Sequence, residues 1–193
     1  MASDHLNGCA PSARPDAHTQ RYDRQLRLWA SSGQASLESA RIAVVGASHL
    51  GACIVKNLVL PGVRTFFLID AHMVDEADLG NNFFLQADAK GKSRAHECAS
   101  NLAELNPQVH AHPVVQEPGA WSKEADLDEY SLLIAVNQPY SVLLPLADRA
   151  WSARAGVGVP LMAVTGSGLV GQVDVQVKEA GSASCVIPSA SLV

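Results

Sequence analysis

At 193 residues, with 48 % hydrophobic side chains, the chain has room for one α/β domain and enough apolar material to fill its core. Only 17 % of residues are charged and the net charge is -5, which gives no electrostatic ground for a nucleic-acid partner, and no apolar run approaches the roughly 20 residues that span a bilayer. The four cysteines (Cys9, Cys53, Cys98, Cys185) are scattered without a C-x-x-C pair, which argues against zinc or a disulfide framework and for a reducing compartment, cytoplasmic and/or nuclear.

Residues 1–20 lack the apolar core of a signal peptide, carry Asp4 and Asp16 against a single arginine, Arg14, and read as a disordered arm. From Arg21 the character changes: in RYDRQLRLWASSGQASLESA, Leu26, Leu28 and Trp29 suit a short amphipathic helix. Gly33 is expected to break it, with a second short helix near Gln34–Ser39. On pattern alone Arg21, Arg24 and Arg27 are a solvated helix face.

The stretch RIAVVGASHLGACIVKNLVLPGVRTFFLID, from Arg41 to Asp70, has the shape of a βαβ unit with a nucleotide fingerprint. Ile42–Val45 is the first strand and a helix follows to Leu60, closed by Pro61-Gly62; Thr65–Ile69 is the second strand. In such a turn the first glycine permits the bend, the middle one lets backbone N–H groups approach phosphate, and the last lets helix and strand pack closely. Gly46 and Gly51 keep the outer roles, Ser48 replaces the middle glycine, and Asp70 stands where a ribose-binding carboxylate is expected.

Residues 71–86 read as a long polar loop interrupted by Phe83-Phe84-Leu85. A helix follows from Gly91, with Ala95, Cys98, Ala99, Leu102 and Leu105 on one face, and Asn106-Pro107 ends it. Val109–Val115 is a third strand, 117–129 an acidic connector holding Trp121, Ser131–Val136 a fourth strand, Val142–Arg154 a helix and Pro160–Val164 a fifth strand. Gly166 and Gly168 lead into Gln172–Lys178, whose alternating valines suit an antiparallel edge strand. Residues 181–193 read as a tail. The pattern predicts a doubly wound, mostly parallel Rossmann-like sheet across 21–180, with its crevice at the carboxyl ends of the first two strands.

Other constellations are weaker. His110 and His112 share a strand face but have no third ligand spaced to help, so no metal site is expected. Cys53 and Cys98 are expected to pack toward the sheet rather than act as nucleophiles, and the Asp126–Glu129 run reads as a solvated connector. Neither Tyr130 nor Tyr140 has a lysine four residues on, and Gly91-Lys92-Ser93 lacks the earlier glycine of a P-loop. A dinucleotide-dependent oxidoreductase is therefore a minor alternative, given the broken glycine fingerprint.

RYDRQLRLWASSGQASLESARIAVVG resembles the opening of the ubiquitin-like-protein-activating enzymes and their bacterial relatives, the ThiF/MoeB adenylating proteins. Within that family KNLVLPG, GNNFFLQ, GKSRA and GLVG are most similar to the regulatory subunits of neddylation-activating enzymes, over roughly residues 21–180. The resemblance implies a ThiF-type fold. Because relatives continue past the GLVG hairpin into a helical insertion and then return, the domain is expected to be incomplete.

Active family members adenylate the C-terminal glycine of a ubiquitin-like protein with Mg-ATP and pass it to a cysteine. Carried over position by position, the resemblance makes Asp70 the ribose carboxylate, with His72 at the second acidic position. It puts Asn81 where active members have a phosphate-contacting arginine, Arg94 where they have a lysine, and Asn137 where they have a magnesium-linked aspartate. Gly46, Gly51, Asp70 and Arg94 thus outline a vestigial nucleotide site. The implied role is a non-catalytic half, with ATP and magnesium held by a catalytic partner subunit and Arg24 reaching in trans to that ATP. A self-sufficient adenylyltransferase and a truncated partner-binding module are the alternatives.

Overall fold

The computed structural model describes residues 16–178. The expected arm therefore falls mostly outside the described residues, as does the expected tail at 181–193. Ala17–Arg21 (α1) corrects the arm's inner boundary: it is helical, with Asp16 capping it through the Thr19 amide.

α2 spans Asp23–Ser39, and its break lies at Trp29–Ala30, where Ala30 takes φ 59°, not at Gly33. Gly33 has a different job. The Trp29 indole lies so close that a Cβ at Gly33 would sit 2.8 Å from Trp29 Cδ1. The helices are anchored by residues that amphipathic spacing does not pick out. Leu28 is exposed, whereas Tyr22 and Gln34 are buried. Asn106 Nδ2 donates to Tyr22 Oη at 3.0 Å, Gln34 Nε2 donates to the Pro61 carbonyl at 3.0 Å, and Arg64 Nη2 meets Glu38 Oε2 at 2.9 Å.

The chain then alternates: β1 (Arg41–Val45), α3 (His49–Val59), β2 (Thr65–Ile69), α4 (Glu76–Asn81), α5 (Arg94–Ala103), β3 (His110–Val114), α6 (Pro118–Glu124), β4 (Leu132–Val136), α7 (Tyr140–Ser152), β5 (Leu161–Ser167) and β6 (Val170–Gln176). The six strands form one sheet in the order β3-β2-β1-β4-β5-β6, parallel except for β6, which runs antiparallel to β5 at the edge. This is the doubly wound arrangement that the sequence predicts.

Both faces of the central strands are covered. Ile42 and Val44 point into one core with Val55, Val59 and Phe66; Ala43 and Val45 point into the other with Trp121, Leu133 and Leu146. Two stretches expected to be irregular are helical. Within the loop 71–86, Glu76–Asn81 forms α4, opened by a reciprocal capping box between Asp75 and Asp78. The acidic connector contains α6, which buries Trp121, and a 3-10 turn at Leu127–Glu129 that buries Leu127. α5 starts at Arg94, with Ser93 as its cap, three residues after the expected Gly91.

The rims of the sheet differ. His110 N donates to the Arg64 carbonyl and Asp70 N to the Val114 carbonyl, so even-numbered residues of β3 face β2 while Ala111 and Pro113 face outward. At the other rim, Leu133 N donates to Pro160 and Asn137 N to Val164, so odd-numbered residues of β5 face β6. Gly171, Val173 and Val175 of β6 consequently face outward. No described helix is long and apolar enough to cross a membrane.

Candidate nucleotide crevice

The loop between β1 and α3 is built as the glycine spacing requires. Gly46 takes φ 112°, and a Cβ there would lie 2.7 Å from the Val136 carbonyl oxygen. A Cβ at Gly51 would lie 2.0 Å from the Gly46 carbonyl oxygen, so only glycine lets α3 start this close to the strand. Ser48 occupies the N-cap position of α3 but does not cap it; its Oγ is buried without a hydrogen-bond partner among the described residues.

Asp70 closes β2 and is 1 % exposed. Its Oδ2 accepts from Ala47 N at 2.7 Å and from Arg94 Nη2 and Nε at 2.7 and 3.1 Å. Its Oδ1 accepts from His72 N at 2.8 Å and lies 2.8 Å from His72 Nδ1. A carboxylate offers about four lone-pair sites, and these are taken. Burial alone would raise the Asp70 pKa, but the His72 amide, the Arg94 guanidinium and the Ala47 amide outweigh it and hold the carboxyl below its ordinary range.

Arg94 is equally committed. Its third donor, Nη1, meets Asp78 Oδ1 at 3.0 Å. Burial disfavours its charge, but Asp70 and Asp78 more than compensate and raise its pKa. Neither Asp78 nor Gln138 stands out in the sequence, yet both shape the crevice. The capping-box spacing Asp75-x-x-Asp78 is the one signal for Asp78. Gln138 Nε2 donates to the Val136 carbonyl at 2.9 Å and crowds Gly46.

Two cavities flank this network. One, of about 290 Å³, is lined by Gly46, Ser48, Asp70, Arg94, Glu117 and Gln138 among others. A second, of about 500 Å³, is lined by Ser48, His49, Asp78, Asn81, Asn137 and Gly166 among others. Asn137 adopts φ 50° and its Oδ1 accepts from Gly166 N at 2.8 Å. Among the described residues Arg94 is the one Lys or Arg on either wall, and it is already held by two carboxylates. As placed, these side chains offer a triphosphate no free cation, and amides stand at Asn81 and Asn137 where active members of the resembled family carry charge.

Gly46, Gly51, Asp70 and Arg94 lie together at this end of the sheet, and Arg24 lies apart from them. α1 and α2 dock through Pro61, Arg64, Leu105 and Asn106, all of which precede β2 or β3. The crevice lies beyond the other end of those strands, about 16 Å away for five residues at ~3.3 Å each. Arg24 is exposed and, among the described residues, makes no hydrogen bond or ion pair, whereas Arg21 donates to the Leu105 carbonyl and Arg27 pairs with Asp23.

The cysteines divide. Cys98 is buried as expected, and burial pushes its thiol up to about 11. Cys53 corrects the sequence expectation: it is half-exposed on the flank of α3, 3.8 Å from His49 Nε2, rather than packed against the sheet. His112 stacks on Phe67 with centroids 4.6 Å apart. Among the described residues no group of three or more His, Cys, Asp or Glu is placed to hold a metal ion.

Comparison with known proteins agrees with this architecture. NEDD8-activating enzyme E1 regulatory subunits are similar to this chain: that of Danio rerio is 42 % identical over 165 residues, covering 83 % of this chain and 30 % of its own. The Gallus gallus protein is 38 % identical over 172 residues, covering 88 % and 31 %, respectively. The chain thus spans about 30 % of the length of the curated relatives it matches. Among solved structures, E. coli MccB shares the fold at 14 % identity, with a TM-score of 0.67 over 91 % of this chain and 50 % of that one. Residues 22–191 match the ThiF family profile, and the chain belongs to the ThiF family.

Proposed function

We propose that this chain is the amino-terminal, non-catalytic part of a regulatory subunit of a NEDD8-activating enzyme. It supports ATP-dependent adenylation and thioester activation of a ubiquitin-like protein by a catalytic partner subunit, which holds ATP and magnesium. Its own crevice does not take up nucleotide tightly. The observation that carries this reading is the separation of Arg24 from the crevice. Arg24 is exposed and, among the described residues, uncommitted, on helices anchored at the amino ends of the strands, and so is poorly placed to serve Asp70's side. A guanidinium so presented can contact two phosphate oxygens of a neighbouring subunit's ATP and add positive charge where pyrophosphate departs. The relatives' names support the pairing of a regulatory with a catalytic subunit.

ATP–pyrophosphate exchange tests it. The isolated chain is expected to show none, and the chain with the catalytic subunit of a NEDD8-activating enzyme to show exchange that Arg24→Ala lowers by about a hundredfold. Robust exchange by the isolated chain overturns the proposal. Co-purification with the catalytic subunit without any exchange assigns the chain a binding role alone.

A further inference from the structure

Arg94 is held by three hydrogen bonds to two carboxylates, Asp78 and Asp70, and the second is the carboxylate that the fold reserves for a ribose. In doubly wound sheets an acidic residue some 20 positions after the first glycine accepts the ribose hydroxyl. Asp70 stands 24 positions after Gly46 and next to a cavity of about 290 Å³. A cavity at that switch point is of the size that begins to hold a small ligand. Yet both bonds from the Arg94 fork to Asp70 fall on the same oxygen, Oδ2, while Nη1 reaches Asp78. The Arg94 side chain is 15 % exposed, that of Asp70 2 % and that of Asp78 11 %, so water does little to loosen the arrangement.

We infer that Arg94 is an internal ligand that occupies the ribose-binding carboxylate and so keeps the crevice closed to nucleosides. The inference deepens the reading of a silent crevice and rests on it for its starting point. It assigns the silence to one side chain rather than to the loss of phosphate-handling groups or to the bulk of Ser48. A single guanidinium spans the two carboxylates because its donors are fixed in a fork; an ammonium at the same place is a point charge and cannot meet both oxygens equivalently. Removing the fork leaves Asp70 held by Ala47 N on Oδ2 and by His72 N on Oδ1, with His72 Nδ1 still 2.8 Å from Oδ1, and frees the acceptor capacity of Oδ2 that the fork had taken.

The crevice would then accept the ribose of a neutral nucleoside in preference to a triphosphate. Asp70, Asp78 and Glu117 all stand around it, and among the described residues no uncommitted Lys or Arg lines it to balance them. Adenosine, not ATP, is therefore the probe.

Binding of adenosine to the full chain is measured by calorimetry for the parent, Arg94→Ala and Arg94→Lys. Arg94→Ala is expected to bind at least about tenfold more tightly than the parent, the worth of one charge-assisted hydrogen bond, and Arg94→Lys to fall between. The gain should vanish for 2′,3′-dideoxyadenosine, which lacks the hydroxyls that Asp70 would receive; a general loosening of the fold would favour both ligands alike. Should Arg94→Ala not fold, Arg94→Lys, which keeps the charge, still reports. Three results overturn the inference: no gain in a folded variant, an equal gain for the dideoxynucleoside, or a gain from Ser48→Gly that matches that of Arg94→Ala. Exchange activity with the catalytic subunit is read separately, so a failure here leaves the regulatory assignment standing and a failure there leaves this one.

Discussion

Two glycine-to-alanine substitutions should move stability in opposite directions. At Gly51 an added methyl would lie 2.0 Å from the Gly46 carbonyl oxygen and 3.2 Å from its carbon. An ordinary carbon–oxygen contact is more than 1 Å longer than the first of these, and the obstacle is backbone, held by the Gly46 N–H bond to Ile69. Relief requires α3 to move away from β1, yet Ala52, Val55 and Val59 on that helix are fully buried. Overpacking of this kind costs about 1–3 kcal/mol, and more where the neighbour cannot give; a loss of about 3 kcal/mol or more is expected. Gly80, inside α4, has no heavy atom within 4 Å of its added methyl. There the substitution should stabilise by about 0.5–1 kcal/mol, because alanine restricts the unfolded chain and favours helix. Urea unfolding of both variants, with the slopes held to the parent's, reads the difference. A Gly51→Ala protein within about 1 kcal/mol of the parent would refute the close approach of helix to turn.

The Asp70–Arg94 pair predicts a definite pH dependence. Because the folded carboxyl lies below its ordinary range, its contribution is fully present above the unfolded value near ~3.9 and is lost as pH falls through the folded value. Urea midpoints measured from pH 7 downward should therefore fall on the acid side, and the fall should be shallower in Arg94→Ala. Thiol labelling should separate the cysteines by site. Iodoacetamide at pH 8 is expected to modify Cys53 readily, whereas Cys98, buried and with its thiol pushed up to about 11, reacts only as fast as the protein opens. Peptide mass mapping at 0 and 6 M urea reads both; rapid native labelling of Cys98 would contradict its burial.

Much of the framework is legible in the sequence because its signals are local. Phe66–Ile69 is a continuous apolar run and forms a strand with Thr65, and Gly46 and Gly51 do what their spacing demands. The two missed helices, α4 and α6, have six and seven residues, less than two full turns, too few for a 3.6-residue period to emerge. Gly33 reads as a breaker on propensity alone; the closeness of Trp29, whose Cδ1 an added Cβ would meet at 2.8 Å, depends on how the chain folds back at Ala30. Arg94 is the sharpest case. Its residue type fits a phosphate contact, and only tertiary closure, 24 residues back to Asp70 and 16 back to Asp78, reveals that its charge is spent inside the protein.

The unlike rims of the sheet give it a direction of growth. An added strand needs an unbroken row of outward N–H donors. At β3 that row is interrupted, since Pro113 faces outward and has no hydrogen to give. At β6 the outward positions are Gly171, Val173 and Val175, each with its donor intact, and among the described residues no strand pairs with them. Among the described residues the rim able to pair with a further strand is therefore β6, while a single ring at Pro113 blunts the other as a template.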